Sequence, residues 1–207
     1  MKILYYGGWS LTRLISKLIF RIKIYGMENI PKSGGFILAT NHISNFDPLL
    51  VGSWLPRQVY FLAKKELFKN KLFGFIISRT NALPVRRGTI DRNALELTAS
   101  VIAKGYGLTI FPEGTRSKTS RFLDPKPGIG MIANRAGCPI VPGYVHGSNN
   151  LKACLLGKER MSITYGEPLS AEWVNSFTSD KEGYVNIAQG VMSEISRIRD
   201  KVVTSSK

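Results

Sequence analysis

The sequence predicts an α/β domain, a sheet with helices packed on it, over residues 20–207, preceded by one amphipathic helix over residues 1–19. Two observations carry this. Short apolar runs, too brief for a buried helix, alternate with longer stretches whose apolar residues recur at helical spacing. Two of those runs also end in polar, motif-like loops, and in such sheets ligands gather at the carboxyl ends of strands. At 207 residues without a linker-like stretch or internal repeat, one domain with a sizeable core is expected.

Taken in order, Ile3–Phe20 places Leu4, Leu11, Leu14, Ile15 and Leu18 on one helical face and Ser10, Arg13, Lys17 and Arg21 on the other. The charges and two glycines leave it short of the ~20 apolar residues of a spanning helix, and it lacks the pattern of a signal peptide. It reads as a helix lying in a membrane surface, with Tyr5, Tyr6 and Trp9 at headgroup level. The same pattern also fits an amphipathic helix packed on the domain. At Phe20–Tyr25 the period drops to strict alternation, a strand, and residues 26–34 form a loop. Gly35–Thr40 reads as a buried strand, and Pro48 suits the start of a helix towards Trp54. A strand at Gln58–Ala63 precedes a helix over Lys65–Arg79. Its stripe of Phe68, Leu72, Phe75 and Ile76, beside Lys64, Lys65, Lys69, Lys71 and Arg79, fits either core or an interfacial face. Strands follow at Ala82–Arg86, Leu108–Phe111, Pro139–Val145 and Met161–Tyr165. Helices follow at Thr89–Lys104, closed by Gly105, at Pro127–Gly137, and at Glu182–Val202, with a polar tail beyond.

The chain is organised around Asn41-His42-Ile43-Ser44-Asn45-Phe46-Asp47-Pro48. Five residues on a continuous helix would separate His42 and Asp47 by roughly 140° at about 100° per residue, so the backbone between them must turn if they are to meet. Asp47, held out of the helical region by Pro48, suits an N-cap. One carboxylate oxygen could cap while the other orients His42 as a general base. This stretch alone equally fits a capping aspartate beside an unrelated histidine. No Gly-x-Ser-x-Gly motif supplies a covalent nucleophile, which leaves Ser44 as the one alternative in the turn.

A second block, Phe111-Pro112-Glu113-Gly114-Thr115-Arg116-Ser117, lies seventy residues on. Together with the first it resembles the 1-acylglycerol-3-phosphate acyltransferase family. Ala82-Leu83-Pro84-Val85-Arg86-Arg87-Gly88 resembles that family's arginine block, and Pro139–Val145 its proline-containing strand, with Gly143 and Tyr144 departing from the usual aliphatic residues. The matching spans residues 20–165. The resemblance implies a mixed, largely parallel sheet flanked by helices, and transfer of an acyl chain from acyl carrier protein or coenzyme A to the sn-2 hydroxyl of lysophosphatidic acid. It implies that His42 and Asp47 are catalytic and that Arg87, Glu113, Gly114, Thr115 and Arg116 bind substrate. It implies no metal or cofactor, and a peripheral or monotopic place on the cytoplasmic face of the inner membrane. Some bacterial members place two helices before the first strand, whereas about twenty residues here allow one. A carboxylate beside a phosphate would repel it, so Glu113 is expected to fix Arg116 or to bond glycerol hydroxyls. His146 is expected to be non-catalytic. Acylation of another lysolipid is the alternative within the fold.

Net charge is +15, and residues 1–90 hold fourteen Lys/Arg against Glu28, Asp47 and Glu66, an excess of +11. That half is expected to face an anionic partner: an acidic membrane surface, a phosphorylated substrate or an acidic carrier protein. Nucleic acid is disfavoured, since neither a groove-reading helix nor an aromatic RNA-binding sheet motif is present. Cys138 and Cys154 lack zinc or disulfide spacing and read as buried thiols of a reducing compartment. No dinucleotide or Walker-type motif occurs.

Overall fold

The computed structural model describes residues 2–86, 88, 91–119 and 121–204, and the side chains of all of these except residues 2–4 and 73. At its centre, β2 (Phe36–Thr40) is buried at every position. A strand covered on both faces must be apolar throughout, which is why this run shows no alternation. Parallel neighbours flank it: β5 (Gly107–Ile110) on one side and β6 (Ile140–His146) on the other, with Leu38 opposite Thr109 and Val141. Beyond β5 lie β3 (Val59–Lys64) and the edge strand β4 (Ala82–Val85), both parallel to it. Beyond β6 lie β7 (Ser162–Tyr165), antiparallel to it, and β1 (Lys23–Tyr25), parallel to β7. The order is β1-β7-β6-β2-β5-β3-β4, a mixed and mostly parallel sheet.

Alternate side chains of β2 feed two cores. Ile37 and Ala39 meet α4 (Arg92–Ala103), α5 (Gly128–Ala136), α7 (Ala171–Asn175) and α8 (Lys181–Thr204) through Ile102, Ile132, Val174 and Ile187. Phe36 and Leu38 meet α2 (Asp47–Ser53) and α6 (Leu151–Leu155) through Leu50, Val51 and Cys154. Each large apolar side chain so buried contributes about 1.5–3 kcal/mol. Helices α5 and α8 approach closely at Gly130, where a Cβ would lie 2.2 Å from the Tyr184 carbonyl oxygen. Both cysteines are buried and free, and burial pushes the Cys138 thiol up to about 12.

Several expectations are corrected. Helix α1 (Lys2–Leu18) ends before a left-handed turn at Arg21 (φ 48°), so the alternation at Phe20–Ile22 belongs to that turn and β1 holds three residues only. Arg21 therefore lies outside the helix. Residues 65–79 are two pieces, a 3₁₀ turn (Lys65–Lys69) and α3 (Lys71–Arg79), separated by Asn70 in extended conformation. Folding back brings Gly74 against the Phe68 backbone, where a Cβ would lie 2.6 Å from the carbonyl oxygen. Within the described residues the next helix starts at Arg92, because the Asp91 carboxylate caps the Ala94 amide; the expected start at Thr89 lies outside those residues. Gly105 follows that helix with φ 82°, in the closing role expected of it. The short helices α6 and α7 were not foreseen, although Asn150 and Ser170 cap them as such residues do.

The docking of α1 corrects the expected headgroup placement of Tyr5 and Trp9. Tyr5 is buried, the Trp9 indole donates to the Gly52 carbonyl (2.9 Å), and Arg13 Nε donates to the Ser53 carbonyl (3.1 Å). The Arg13 guanidinium lies 3.7 Å from the Trp9 ring centroid and 5.0 Å from that of Trp54, whose indole donates to Ser16 Oγ. The aromatic and arginine face thus holds the helix to the domain, while Leu11, Leu14, Ile15 and Leu18 are exposed.

Candidate active site

Three adjacent strands deliver the site. After β2 the chain leaves the sheet at Asn41, whose amide imitates one more ladder pair: its Nδ2 donates to the Val145 carbonyl and its Oδ1 accepts from the Val145 N–H (3.0 and 2.7 Å). This ties the start of the His42–Asp47 turn to β6. His42 follows, and its main chain is clasped from the β5 side. Its N–H donates to Glu113 Oε1 (2.9 Å) and its carbonyl accepts from the Ser117 N–H (2.8 Å). The Phe111 ring stacks on the imidazole, with centroids 4.1 Å apart and planes 19° apart.

The turn brings His42 and Asp47 together at 2.8 Å, Nδ1 to Oδ2. Asp47 does not cap α2 as expected; it is the first residue of the helix, and Phe46 precedes it without a side-chain cap. Its Oδ2 instead accepts from the Ile43 and Ser44 N–H groups (2.8 and 2.7 Å) as well as from the imidazole. A carboxylate can satisfy more than one donor per oxygen, so one short side chain both closes the turn and orients the ring. The second oxygen, Oδ1, accepts from Ser148 Oγ at 2.6 Å, from the loop after β6. Sequence reasoning missed Ser148, and at a separation of 101 residues no local pattern points to it.

Since a carboxylate only accepts, the Nδ1 proton lies towards Asp47 and the lone pair of Nε2 is left for a substrate. His42 is buried but for 8% of its surface and Asp47 entirely. Ser44 Oγ accepts from the Phe46 N–H, and among the described residues no hydrogen bond links it to His42. The alternative nucleophile therefore lacks an adjacent base.

Glu113 is 1% exposed. Its Oε2 accepts from the Leu123 N–H (2.9 Å), so both oxygens engage main chain. Among the described residues no ion pair joins it to Arg116, which is exposed. The expected Glu113–Arg116 contact is thus replaced by a clamp between the His42 turn and the 121–123 segment. Burial raises the Glu113 pKa, opposed by the two amide donors. Gly114 (φ 70°) and exposed Thr115 carry the loop past the site. Arg87 lies outside the described residues. His146, at the end of β6, faces Glu159 at 3.8 Å and is not bonded to the dyad.

Below Phe111 and Glu113 opens a cavity of about 650 Å³, between the sheet and helices α4 and α5. Leu62, Leu95, Ile110, Ile129, Met131 and Ile132 line it. Its size falls within the ~300–1,000 Å³ of ligand sites, and its walls suit an apolar chain.

The sequence matches the Acyltransferase family model over residues 21–146. It is 34% identical over 158 residues to the 1-acyl-sn-glycerol-3-phosphate acyltransferase of Bacillus subtilis, covering 76% of this chain and 78% of that protein. It is 29% identical over 180 residues to the Streptococcus pneumoniae protein of the same description, covering 86% and 66%. The fold matches the crystal structure of the 1-acyl-sn-glycerophosphate (LPA) acyltransferase PlsC from Thermotoga maritima. That match has a TM-score of 0.72 and 24% identity and covers 96% of this chain and 80% of that one. A family model matched over more than half of the sequence, and a relative 34% identical over most of both proteins, show that the chain belongs to the 1-acylglycerol-3-phosphate acyltransferase family.

Proposed function

We propose that this acyltransferase moves a fatty acyl group from an acyl thioester to the sn-2 hydroxyl of 1-acylglycerol 3-phosphate, forming phosphatidic acid. The observation that carries the proposal is the His42–Asp47 pair, whose imidazole stacks on Phe111 and whose main chain is held by Glu113, two residues that line the apolar cavity. In this reading His42 Nε2 takes the hydroxyl proton as the acceptor oxygen attacks the thioester carbonyl carbon. The tetrahedral intermediate collapses with cleavage of the carbon–sulfur bond, and the imidazolium returns its proton to the departing sulfur, giving a free thiol. Asp47 stabilises the imidazolium through the 2.8 Å contact. The Ile43 and Ser44 amides are committed to Asp47, so they hold the base and are not free to receive the oxyanion.

Arg116, exposed and next to the cavity-lining Thr115, has like Arg87 the planar fork that suits a phosphate monoester, and Thr115 adds a hydroxyl. Glu113 acts through the backbone of His42, and Gly114 lets the loop pass close to the acceptor. The donor is an acyl carrier protein or coenzyme A thioester, used as a co-substrate without a cofactor. No described helix is long and apolar enough to cross a membrane. With the basic residues of the first ninety positions, this supports peripheral attachment to the anionic cytoplasmic face of the inner membrane. The test is mass spectrometry of products after purified protein meets mixed lysolipids with each donor type. Phosphatidic acid as the dominant product supports the proposal. An acylated product from a lysolipid without phosphate refutes the acceptor assignment.

A further inference from the structure

The catalytic turn presents two apolar side chains on its outside, next to Asn45. Asp47 is buried, yet its neighbours Phe46 and Leu49 are 50% and 47% exposed. Helix α2, which begins at that turn, packs against α1, and α1 in turn touches α3. On α3 the residues Leu72, Phe75 and Ile76 are exposed, Leu72 to 73%, whereas Gly74 and Ile77 on the opposite side are buried. Leu72, Phe75, Ile76 and Arg79 stand at i, i+3, i+4 and i+7, one face of the helix. Leu11, Leu14, Ile15 and Leu18 stand at the same spacing on α1, and their outward orientation is fixed by the Trp9, Arg13 and Ser16 contacts behind them. Of the alternatives open for the 65–79 stretch, core is thus excluded for all of its stripe but Phe68, which packs on Ala63, Ile77 and Ala82.

Around this apolar surface stand cations. Lys17, Lys69 and Lys71 are exposed, and none takes part in an ion pair among the described residues, whereas Lys64 and Lys65 line clefts on the α4 side. The Arg79 guanidinium lies over the Phe75 ring, 3.4 Å from its centroid, so a cation sits directly on the exposed aromatic. Exposed leucines and a phenylalanine flanked by Lys17, Lys69, Lys71 and Arg79, with Glu66 the one acid in the segment from Lys64 to Arg79, complement an acidic lipid surface. They do not complement a second copy of a chain this basic.

We infer that α3, the 3₁₀ turn before it and the Phe46–Leu49 edge of the catalytic turn form a second membrane-inserting element beside α1, so that the mouth of the site abuts the bilayer. A lysolipid would then offer its hydroxyl to His42 without leaving the membrane. This rests on the lysolipid reading above and extends it to how the acceptor arrives. A single element would let the domain tilt on the surface; two adjoining ones fix its roll and hold His42 at headgroup depth.

The experiment compares full-length protein with the double variant Leu72→Asp/Phe75→Asp and, as a control on the other face of the sheet, Leu97→Asp. Binding is measured by co-sedimentation with vesicles of equal parts phosphatidylglycerol and phosphatidylcholine. Activity is measured with vesicle-embedded long-chain lysophosphatidic acid and with a short-chain, water-soluble analogue. The double variant is expected to lose at least tenfold in vesicle affinity and in activity on the embedded acceptor, to keep its rate on the soluble one, and to remain monomeric; the control changes none of these. Unchanged vesicle binding by the double variant overturns the inference. So does wild-type protein that dimerises through this face, the variant alone being monomeric and both binding vesicles alike. If wild-type protein fails to acylate even the soluble acceptor, the functional reading falls, while the vesicle arm still decides whether α3 inserts.

Discussion

Replacing Asp47 by asparagine separates its charge from its shape. In the native site Oδ2 receives three donors and Oδ1 receives the Ser148 hydroxyl. Asparagine meets the same demand if its carbonyl oxygen takes the Oδ2 position and its amide points to Ser148, whose hydroxyl rotates to accept. The turn and the imidazole tautomer are then kept, and the negative charge beside the imidazolium is lost. Opposite charges about 4 Å apart interact by roughly 4 kcal/mol at an effective dielectric near 20. The part of that felt in the transition state sets the loss, so kcat should fall by about 10²–10³, or ~3–4 kcal/mol. Acceptor titrations with saturating donor should show the fall in kcat with KM little changed, and thermal melting should show a near-native Tm. Asp47→Ala, by contrast, leaves two main-chain donors unpaired at about 1–3 kcal/mol each and should lower Tm as well. A kcat for Asp47→Asn within threefold of wild type would refute the electrostatic role. A collapse in Tm matching the loss of activity would show that the aspartate serves the fold alone.

Ser148→Ala removes one donor to the same carboxylate; kcat should drop roughly tenfold, about 1.4 kcal/mol, with the acceptor KM unchanged, as steady-state kinetics would show. Arg116→Ala and Arg87→Ala should each raise the acceptor KM by the equivalent of about 1.5–3 kcal/mol for a charged hydrogen bond; unchanged acceptor dependence in both would move the phosphate site elsewhere. Glu113 titrates high because it is buried. Between the ordinary and the raised pKa the folded chain keeps a proton that the unfolded chain has released, so stability should decline as pH rises through that window. Melting curves across acid pH should show the decline in wild type and a flatter profile in Glu113→Gln.

Much of the sheet was legible because its central strands are short, apolar and bounded by glycine or proline, so β2, β5 and β6 fall within a residue or two of their expected limits. The meeting of His42 and Asp47 was legible only with the Phe111–Ser117 block beside the first one, since the spacing alone fitted a capping aspartate equally. What was hidden depends on contacts across the chain. Ser148 reaches Asp47 from another strand, and Glu113 bonds backbone amides, donors that every residue type shares. Periodicity found both faces of α1 without telling which one docks, since an arginine between two tryptophans can be the packed face. The break at Asn70 escaped because the apolar spacing of Phe68, Leu72 and Phe75 runs on through it, while the close approach of Gly74 to the Phe68 backbone folds the chain back there.

In the proposed reaction the base that deprotonates the lysolipid hydroxyl is His42, oriented by Asp47. That role is tested most directly by the turnover of His42→Ala with lysophosphatidic acid and acyl thioester, followed by mass spectrometry of phosphatidic acid. Loss of about 10²–10⁴ in kcat with a native Tm is the expected result, the range general base catalysis supplies. Near-native turnover in that variant would contradict the role.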